Sequence, residues 1–179
     1  MSDVPELLDR HRAFQADFDS GGLPIPPHLS TIILTCVDAR VDPAHLFSLR
    51  LGDALVLRNT GARVTPGVLE DLAALGVLSS NWPGDRALEL VMITHTGCGM
   101  AKLAEPATQQ EVAERLGVGL DEVATKAVVD PAVTVTDNLE RLRNAPSVLD
   151  NLVVSGFVYD VVDGSLTEIT PTGPLRSRD

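Results

Sequence analysis

The stretch "TIILTCVDARVDP", residues 31–43, decides how the rest of the chain is interpreted. Its Ile-Ile-Leu run is typical of a buried strand. Such a strand normally ends in turn residues, but this one ends at Cys36 and continues directly into Asp38 and Arg40. A potential thiolate, a carboxylate and a guanidinium group at the end of a buried strand need partners or a function, because unpaired charges are costly there.

Three more segments along the chain have the same strand-like character, and helical patterns separate them. Strands are predicted at residues 31–36, 53–59, 88–95 and 151–161. Helices are predicted at residues 4–18, 43–49, 66–76, 109–116 and 138–144. Strands that alternate with helices favour an α/β fold, in which helices flank a mainly parallel β-sheet on both faces.

The C-terminal part is predicted to add an antiparallel edge strand to this sheet. The Asp-Gly pair at 163–164 is a strong turn signal, and "SLTEIT", residues 165–170, would form the edge strand after it. We expect residues 1–179 to form a single domain, because the chain has no internal repeat or low-complexity segment. Residues 1–30 would be an N-terminal helix and an extended arm, and residues 171–179 a loosely held tail.

The composition limits the classes of partner. The chain is 44% apolar and 22% charged, which is ordinary for a globular protein. A formal net charge of −11 works against nucleic acid and anionic membranes as partners, because phosphates would be repelled. No apolar run approaches the roughly 20 residues of a membrane span, and the start "MSDVPELLDRHRAF" has no secretory-signal pattern. We therefore expect a cytoplasmic protein, whose two cysteines suit metal binding or thiol chemistry better than a disulfide.

Two short motifs follow two separate strands and carry metal-binding side chains. Cys36 ends the first strand, and His95-x-x-Cys98 follows the third. Since ligands bind at the carboxyl ends of parallel strands, we expect the three side chains to converge. Two sulfur ligands and one nitrogen ligand suit Zn²⁺, and three protein ligands with an open fourth position are typical of catalytic zinc. Asp38 is the candidate for that fourth position.

Simpler interpretations exist for the same residues. Free cysteines are common in protein cores, and Cys36 and Cys98 would alternatively form a disulfide. Asp38 and Arg40 would alternatively be a structural ion pair. The combination favours the metal site, because each motif follows an apolar strand and the two together supply one coherent ligand set.

Three motifs in this order resemble the β-class carbonic anhydrases. They are Cys36-x-Asp38-x-Arg40, "GDALVLRNTG" at residues 52–61, and His95-x-x-Cys98-Gly99. The resemblance extends from the N-terminal helix to the hairpin after Tyr159, and "HTGCGM" is more similar to a compact subclass than to the longer plant-type enzymes. It implies an α/β fold with a parallel sheet core, assembled as a homodimer or as a homotetramer built from two dimers.

The resemblance also implies roles for particular residues. Zn²⁺ would be the cofactor, with Cys36, His95 and Cys98 as its ligands. Asp38 and Arg40 would form the catalytic dyad beside it. These roles belong to the family motifs and come to this chain only at the positions that match them.

Asn59 and Gly61 correspond to the loop that lines the substrate cleft in similar proteins, although simple turn chemistry would also explain both residues. Two positions depart from the family pattern. Many members carry a Gln just before the Cys-bearing strand, and "LPIPPHLSTIILT" has none. Thr60 stands where Ala is frequent. The missing Gln removes a residue that helps to position the substrate in those members.

The activity implied by the resemblance is the reversible hydration of CO₂ to bicarbonate by hydroxide, which zinc makes available near neutral pH. Two thiolates leave less positive charge on the ion than three histidines do, so activity is expected to rise with pH. The first alternative is hydrolysis of carbonyl sulfide or carbon disulfide at the same zinc site. A second is a non-catalytic zinc-binding relative whose site is closed by Asp38. A third is a redox dithiol, which the spacing of Cys36 and Cys98 disfavours.

Overall fold

A computed structural model of the protein describes residues 2–83 and 86–176. Within these residues, five strands form one sheet in the order β2-β1-β3-β4-β5. The strands are β1 Thr31–Cys36, β2 Leu55–Asn59, β3 Glu89–His95, β4 Val153–Tyr159 and β5 Leu166–Pro174. The pairs β1–β2, β1–β3 and β3–β4 are parallel, and β5 runs antiparallel to β4. The predicted α/β fold with a C-terminal antiparallel edge strand is confirmed.

Helices connect the parallel strands, and several differ in extent from the prediction. They are α1 Val4–Ala16, α2 Pro43–Leu46, α3 Pro66–Ser79, α4 Pro106–Leu116, α5 Leu120–Ala124 and α6 Pro131–Arg143, with a 3₁₀ helix at Gly99–Ala104. The helix predicted at 138–144 begins seven residues earlier, because the Asp130 carboxylate caps it by accepting from the backbone N–H groups of Ala132 and Val133. The short helix α5 was not predicted.

Alternating side chains of β1 divide the core between the two faces of the sheet. Ile32 and Leu34 are fully buried in the large cluster that α3 and α6 cover. Ile33 points to the other face, where Leu46 of α2 and the connecting segments pack over it. Cys36 has the parity of Ile32 and Leu34, so its side chain leaves the sheet towards the α3 and α6 side.

The N-terminal helix α1 forms as predicted but buries no residue within the chain. Its apolar side chains are exposed, among them Val4, Leu7, Leu8 and Phe14. No helix in the described residues is both long enough and apolar enough to cross a membrane.

The C-terminal segment is held more firmly than the sequence predicted. Strand β5 continues to Pro174, and Leu175 is only 2% exposed. The guanidinium group of Arg176 donates hydrogen bonds to the carbonyl oxygens of Leu142, Arg143, Ala145 and Val148 and to the carboxylate of Asp150. The prediction of a loose tail is therefore wrong for residues 171–176, while residues 177–179 lie outside the described part of the chain.

Candidate metal centre

The three predicted metal ligands meet at the carboxyl edge of the sheet. Cys36 ends β1, His95 ends the neighbouring strand β3, and Cys98 follows in the turn before the 3₁₀ helix. Their Sγ, ring nitrogen and Sγ atoms all lie within 4.8 Å of one another, and all three residues are buried. The arrangement follows from the topology, because β1 and β3 are adjacent and parallel and so end side by side.

The imidazole of His95 is oriented as a metal ligand would be. Its Nδ1 lies 2.9 Å from the carbonyl oxygen of Thr96. A carbonyl only accepts, so in the neutral ring Nδ1 carries the proton and Nε2 has a free lone pair. Among the described residues, Nε2 of His95 is the one buried side-chain nitrogen or oxygen without a hydrogen-bond partner. A buried polar atom of this kind is costly unless a ligand completes it, so the cluster fits a Zn²⁺ ion.

The two thiols of the cluster influence each other's ionisation. The hydrogen bond from Cys98 is the main effect that lowers the pKa of Cys36, and the neighbouring imidazole of His95 and the N–H groups of Asp38 and Gly61 add to it. The same contact with Cys36, together with burial, raises the pKa of Cys98. Zinc binds cysteine as the thiolate, so binding of the ion would release the protons that these two thiols carry.

Asp38 and Arg40 form a bidentate ion pair beside this cluster. Nε of Arg40 donates to Oδ1 of Asp38 over 2.9 Å, and Nη2 donates to Oδ2 over 2.7 Å. The side-chain hydrogen bonds and the backbone N–H of Arg40 hold the pKa of Asp38 well below its usual range. Nη2 also donates to the carbonyl oxygen of Gly97 over 3.0 Å, which ties the pair to the turn between His95 and Cys98.

The carboxylate of Asp38 faces the cluster rather than solvent. Its Oδ2 lies 3.9 Å from Nε2 of His95, and its side chain is 19% exposed. Both carboxylate oxygens accept hydrogen bonds from Arg40, so the group cannot rotate without breaking them. The predicted dyad and the predicted ligands thus lie together in the structure.

Asn59 and Gly61 lie in the loop that covers Cys36. The side-chain amide of Asn59 donates to the carbonyl oxygen of Arg63 and accepts from its N–H, over 2.7 and 2.9 Å. The N–H of Gly61 donates to Sγ of Cys36 over 3.3 Å. Gly61 has a φ of +85°, and a Cβ there would lie 2.7 Å from a methyl group of Val128. Both residues shape the loop, and contact with a substrate stays a prediction for them.

Two residues that the sequence analysis did not single out hold the loops around the centre. Arg58 of β2 donates hydrogen bonds to the loop after β1, and Asn138 of α6 bridges the loop after β2. Asn138 is 1% exposed, accepts from the N–H of Val64 and donates to the carbonyl oxygen of Ala62. Arg58 could have been identified from the sequence, because a charged residue directly follows the apolar run "ALVL". Asn138 gave no such signal, because its helix is polar along much of its length.

Comparison with known proteins agrees with this geometry. A family profile described as "Carbonic anhydrase" matches residues 31–166, which include all of the cluster and the dyad. The β-carbonic anhydrase 1 of Mycobacterium tuberculosis is 31% identical over 168 residues, which cover 92% of this chain and 99% of that protein.

Two further relatives extend the comparison. The carbon disulfide hydrolase of Saccharolobus solfataricus is 29% identical and the alignment covers 88% of this chain and 86% of that protein. The crystal structure of a carbonic anhydrase from Streptococcus mutans superposes with a TM-score of 0.76 at 28% identity, covering 95% of this chain and 99% of that one.

Proposed function

The chain belongs to the β-class carbonic anhydrase family, and from this premise we propose that it catalyses the reversible hydration of CO₂ to bicarbonate at a zinc site. The observation that carries the proposal is the unpartnered Nε2 of His95 inside a buried cluster with two thiols. Cys36, His95 and Cys98 would hold the ion. Zinc, when bound, lowers the pKa of water so that hydroxide is available near neutral pH.

Asp38 supplies the acceptor that orients the nucleophile. Its Oδ2 faces the cluster 3.9 Å from Nε2 of His95, and its carboxyl group is ionised because Arg40 lowers its pKa. At this oxygen the carboxylate accepts the remaining hydrogen of the attacking oxygen, so that a lone pair is directed at the carbon of CO₂. Arg40 keeps the carboxylate in this orientation through its two parallel hydrogen bonds.

The Thr96 carbonyl and the Gly61 N–H prepare the ligands for this role. The carbonyl holds the proton of His95 on Nδ1, which leaves Nε2 free for the metal. The N–H group donates to Sγ of Cys36 and so stabilises the thiolate form. Asn59 and Gly61 are proposed to border the space where CO₂ lies, since their loop covers Cys36.

Stopped-flow measurement of CO₂ hydration tests the proposal. Zinc-loaded protein would be assayed from about pH 6.5 to about pH 9, with turnover expected to rise with pH. The rise is expected because two anionic sulfur ligands reduce the charge that acidifies water. Absence of turnover at full zinc occupancy across this range would refute the proposal. A flat profile would refute the reason given for the pH dependence.

Hydrolysis of carbonyl sulfide or carbon disulfide at the same site is the second candidate. A relative that is 29% identical is named a carbon disulfide hydrolase, which favours this alternative. The same three ligands and the same dyad would serve it, because each substrate is a linear molecule with an electrophilic carbon. Turnover numbers for the three substrates, measured with one zinc-loaded preparation, decide between them.

We also propose a homodimer or homotetramer in the cytoplasm. The apolar side chains of α1 are exposed, and no residue of the helix is buried within its own chain. A second copy of the chain would cover these side chains. Two free cysteines fit a reducing compartment. Light scattering gives the assembly state, and a monomer at micromolar concentration would contradict it.

A further inference from the structure

We propose that Arg58 is a positioning residue of the metal centre. Its guanidinium group fixes the loop after β1 so that the side chains of Cys36 and Asp38 both face the metal site. The inference rests on the proposed function, since it concerns the zinc site through which that function operates. Within the described part of the chain, Arg58 donates to three main-chain carbonyl groups and to Asp42, so it acts on the centre through the backbone.

The guanidinium group uses each of its three nitrogen atoms. Nε donates to the carbonyl oxygen of Cys36 over 3.0 Å, and Nη2 donates to those of Asp38 and Val41 over 2.8 and 3.3 Å. Nη1 lies 3.2 Å from the carboxylate of Asp42. One side chain therefore contacts four residues in and next to this loop. Two of them belong to the centre, since Cys36 is a candidate ligand and Asp38 is the candidate acceptor.

The main chain gives this loop some support of its own. The N–H of Val37 donates to the carbonyl oxygen of Asn59 in β2, and the N–H of Val41 donates to that of Asp38, each over 3.0 Å. Arg58 adds bonds that join Cys36, Asp38 and Val41 through one side chain. Arg58 comes from the neighbouring strand, where it pairs in register with Thr35, and its side chain is 27% exposed. A planar fork with donors in several directions serves acceptors spread along a loop, whereas the single ammonium group of a lysine does not.

The Cys36 sulfur and the Asp38 carboxylate are carried by one short segment. Loss of the Arg58 fork would therefore loosen a ligand and the acceptor together. Partners outside the ligand set typically contribute about 10- to 100-fold to metal affinity or activity. A purely structural arginine would instead contribute to folding stability alone.

The test compares Arg58→Lys with Arg176→Lys. Arg176 is a matched control, because its guanidinium group also binds several carbonyl oxygens and one aspartate, and its side chain is 24% exposed. It lies next to β5 and the end of α6, away from the cluster. Both variants keep a positive charge and lose the fork.

Two readouts besides activity follow the centre directly. One is the zinc dissociation constant, from competition with a chromophoric chelator. The other is the absorption spectrum of the Co²⁺-substituted protein, whose thiolate charge-transfer and ligand-field bands report the ligands and their geometry. Arg58→Lys is expected to weaken zinc binding about 10- to 100-fold and to change the Co²⁺ spectrum. Arg176→Lys is expected to change zinc affinity by no more than about twofold.

The possible results test the role of Arg58 separately from the proposed zinc-dependent function. Wild-type affinity and spectrum in Arg58→Lys would overturn the inference, as would equal loss of affinity in both variants. Failure of the wild-type protein to bind zinc would refute the proposed function instead.

If Arg58→Lys does not fold, Asp42→Asn replaces it. This variant keeps an oxygen for the N-cap bond to Ala44 but removes the charge that faces Arg58. It is expected to weaken zinc binding about two- to fivefold, as for a half-exposed ion pair. Unchanged affinity would overturn the inference.

Discussion

The carboxyl and amino ends of the parallel strands differ in whether their polar side chains have hydrogen-bond partners. At the carboxyl end, Cys36, His95 and Cys98 are buried and packed together, and Nε2 of His95 has no hydrogen-bond partner among the described residues. At the amino end a cavity of about 710 Å³ opens between α3 and the C-terminal segment, lined by residues such as Trp82 and Arg176. There the guanidinium group of Arg176 is fully engaged by carbonyl oxygens and a carboxylate.

This difference shows that the volume of a cavity does not indicate where a reactive site lies in this fold. A buried polar atom without a partner carries a free-energy cost that a bound ligand or water removes, so it marks a site more specifically than empty space does. A large cavity with satisfied walls has no such requirement. Variants at the two ends should therefore separate metal binding and catalysis from stability.

The largest effect is expected from His95→Ala, which removes the unpartnered nitrogen itself. With two ligands left, zinc affinity should fall more than about 100-fold and CO₂ hydration should be lost. Metal analysis after gel filtration measures it. His28→Ala, at an exposed position in the segment before β1, is the control and should retain zinc and activity. One zinc ion per chain in purified His95→Ala would contradict the assignment of this ligand.

Asp38→Asn should act on catalysis while leaving the metal in place. The amide offers one acceptor oxygen instead of two and loses the charge that pairs with Arg40, so turnover should fall about 10²- to 10⁴-fold. Stopped-flow assays at equal zinc content measure the loss. Asp150→Asn makes the same change in the ion pair with Arg176 at the amino end, and it should keep wild-type turnover. Equal rates in both variants would exclude Asp38 as the acceptor.

Arg40→Ala should have a smaller effect, because it releases Asp38 rather than removing it. Without the two hydrogen bonds from Arg40, the carboxylate is expected to turn onto the metal and close the fourth position, lowering turnover about 10- to 100-fold. A crystal structure of the zinc-loaded variant at neutral pH shows the outcome. Asp38 found in its present position would contradict the expectation. Arg50→Ala, which removes an exposed arginine that pairs with Asp53, is the control.

Leu175→Ala should leave the metal centre unchanged and affect stability alone. Leu175 is 2% exposed at the amino end, so the truncation should lower the free energy of unfolding by about 2–5 kcal/mol. Urea denaturation measures it, and zinc affinity of the folded variant should equal that of the wild type. Leu166→Ala, where the side chain is 39% exposed, should cost less. Equal costs would mean that the C-terminal segment is loose after all.

The sequence predicted the sheet and the cluster because their signals are local. Each ligand directly follows an apolar strand, and strands that alternate with helices are parallel, which brings their ends together. The start of α6 was missed because its first turns, "PAVTVTD", are rich in β-branched residues that favour strands. The cap from Asp130 and the burial of Val135 outweigh that preference in the folded chain.

The supporting contacts were beyond prediction for a different reason. Arg58 and Asn138 bind main-chain groups that are distant in sequence and that no residue type announces. The tail was misjudged because "PTGP" is typical of a loop. Strand β5 lies at the edge of the sheet, where a proline at an outward-facing position loses no ladder hydrogen bond, so it tolerates this composition.

Cys36 and Cys98 come from opposite ends of a long stretch of chain that includes β2, α3 and β3. A zinc ion held by both would cross-link the folded chain, and it would stabilise that state because the unfolded chain does not bring the ligands together. The metal would then be a folding restraint as well as a cofactor, and its removal would lower the melting temperature. Zinc binding would therefore depend on folding, because Cys36 meets the other two ligands only in the folded chain.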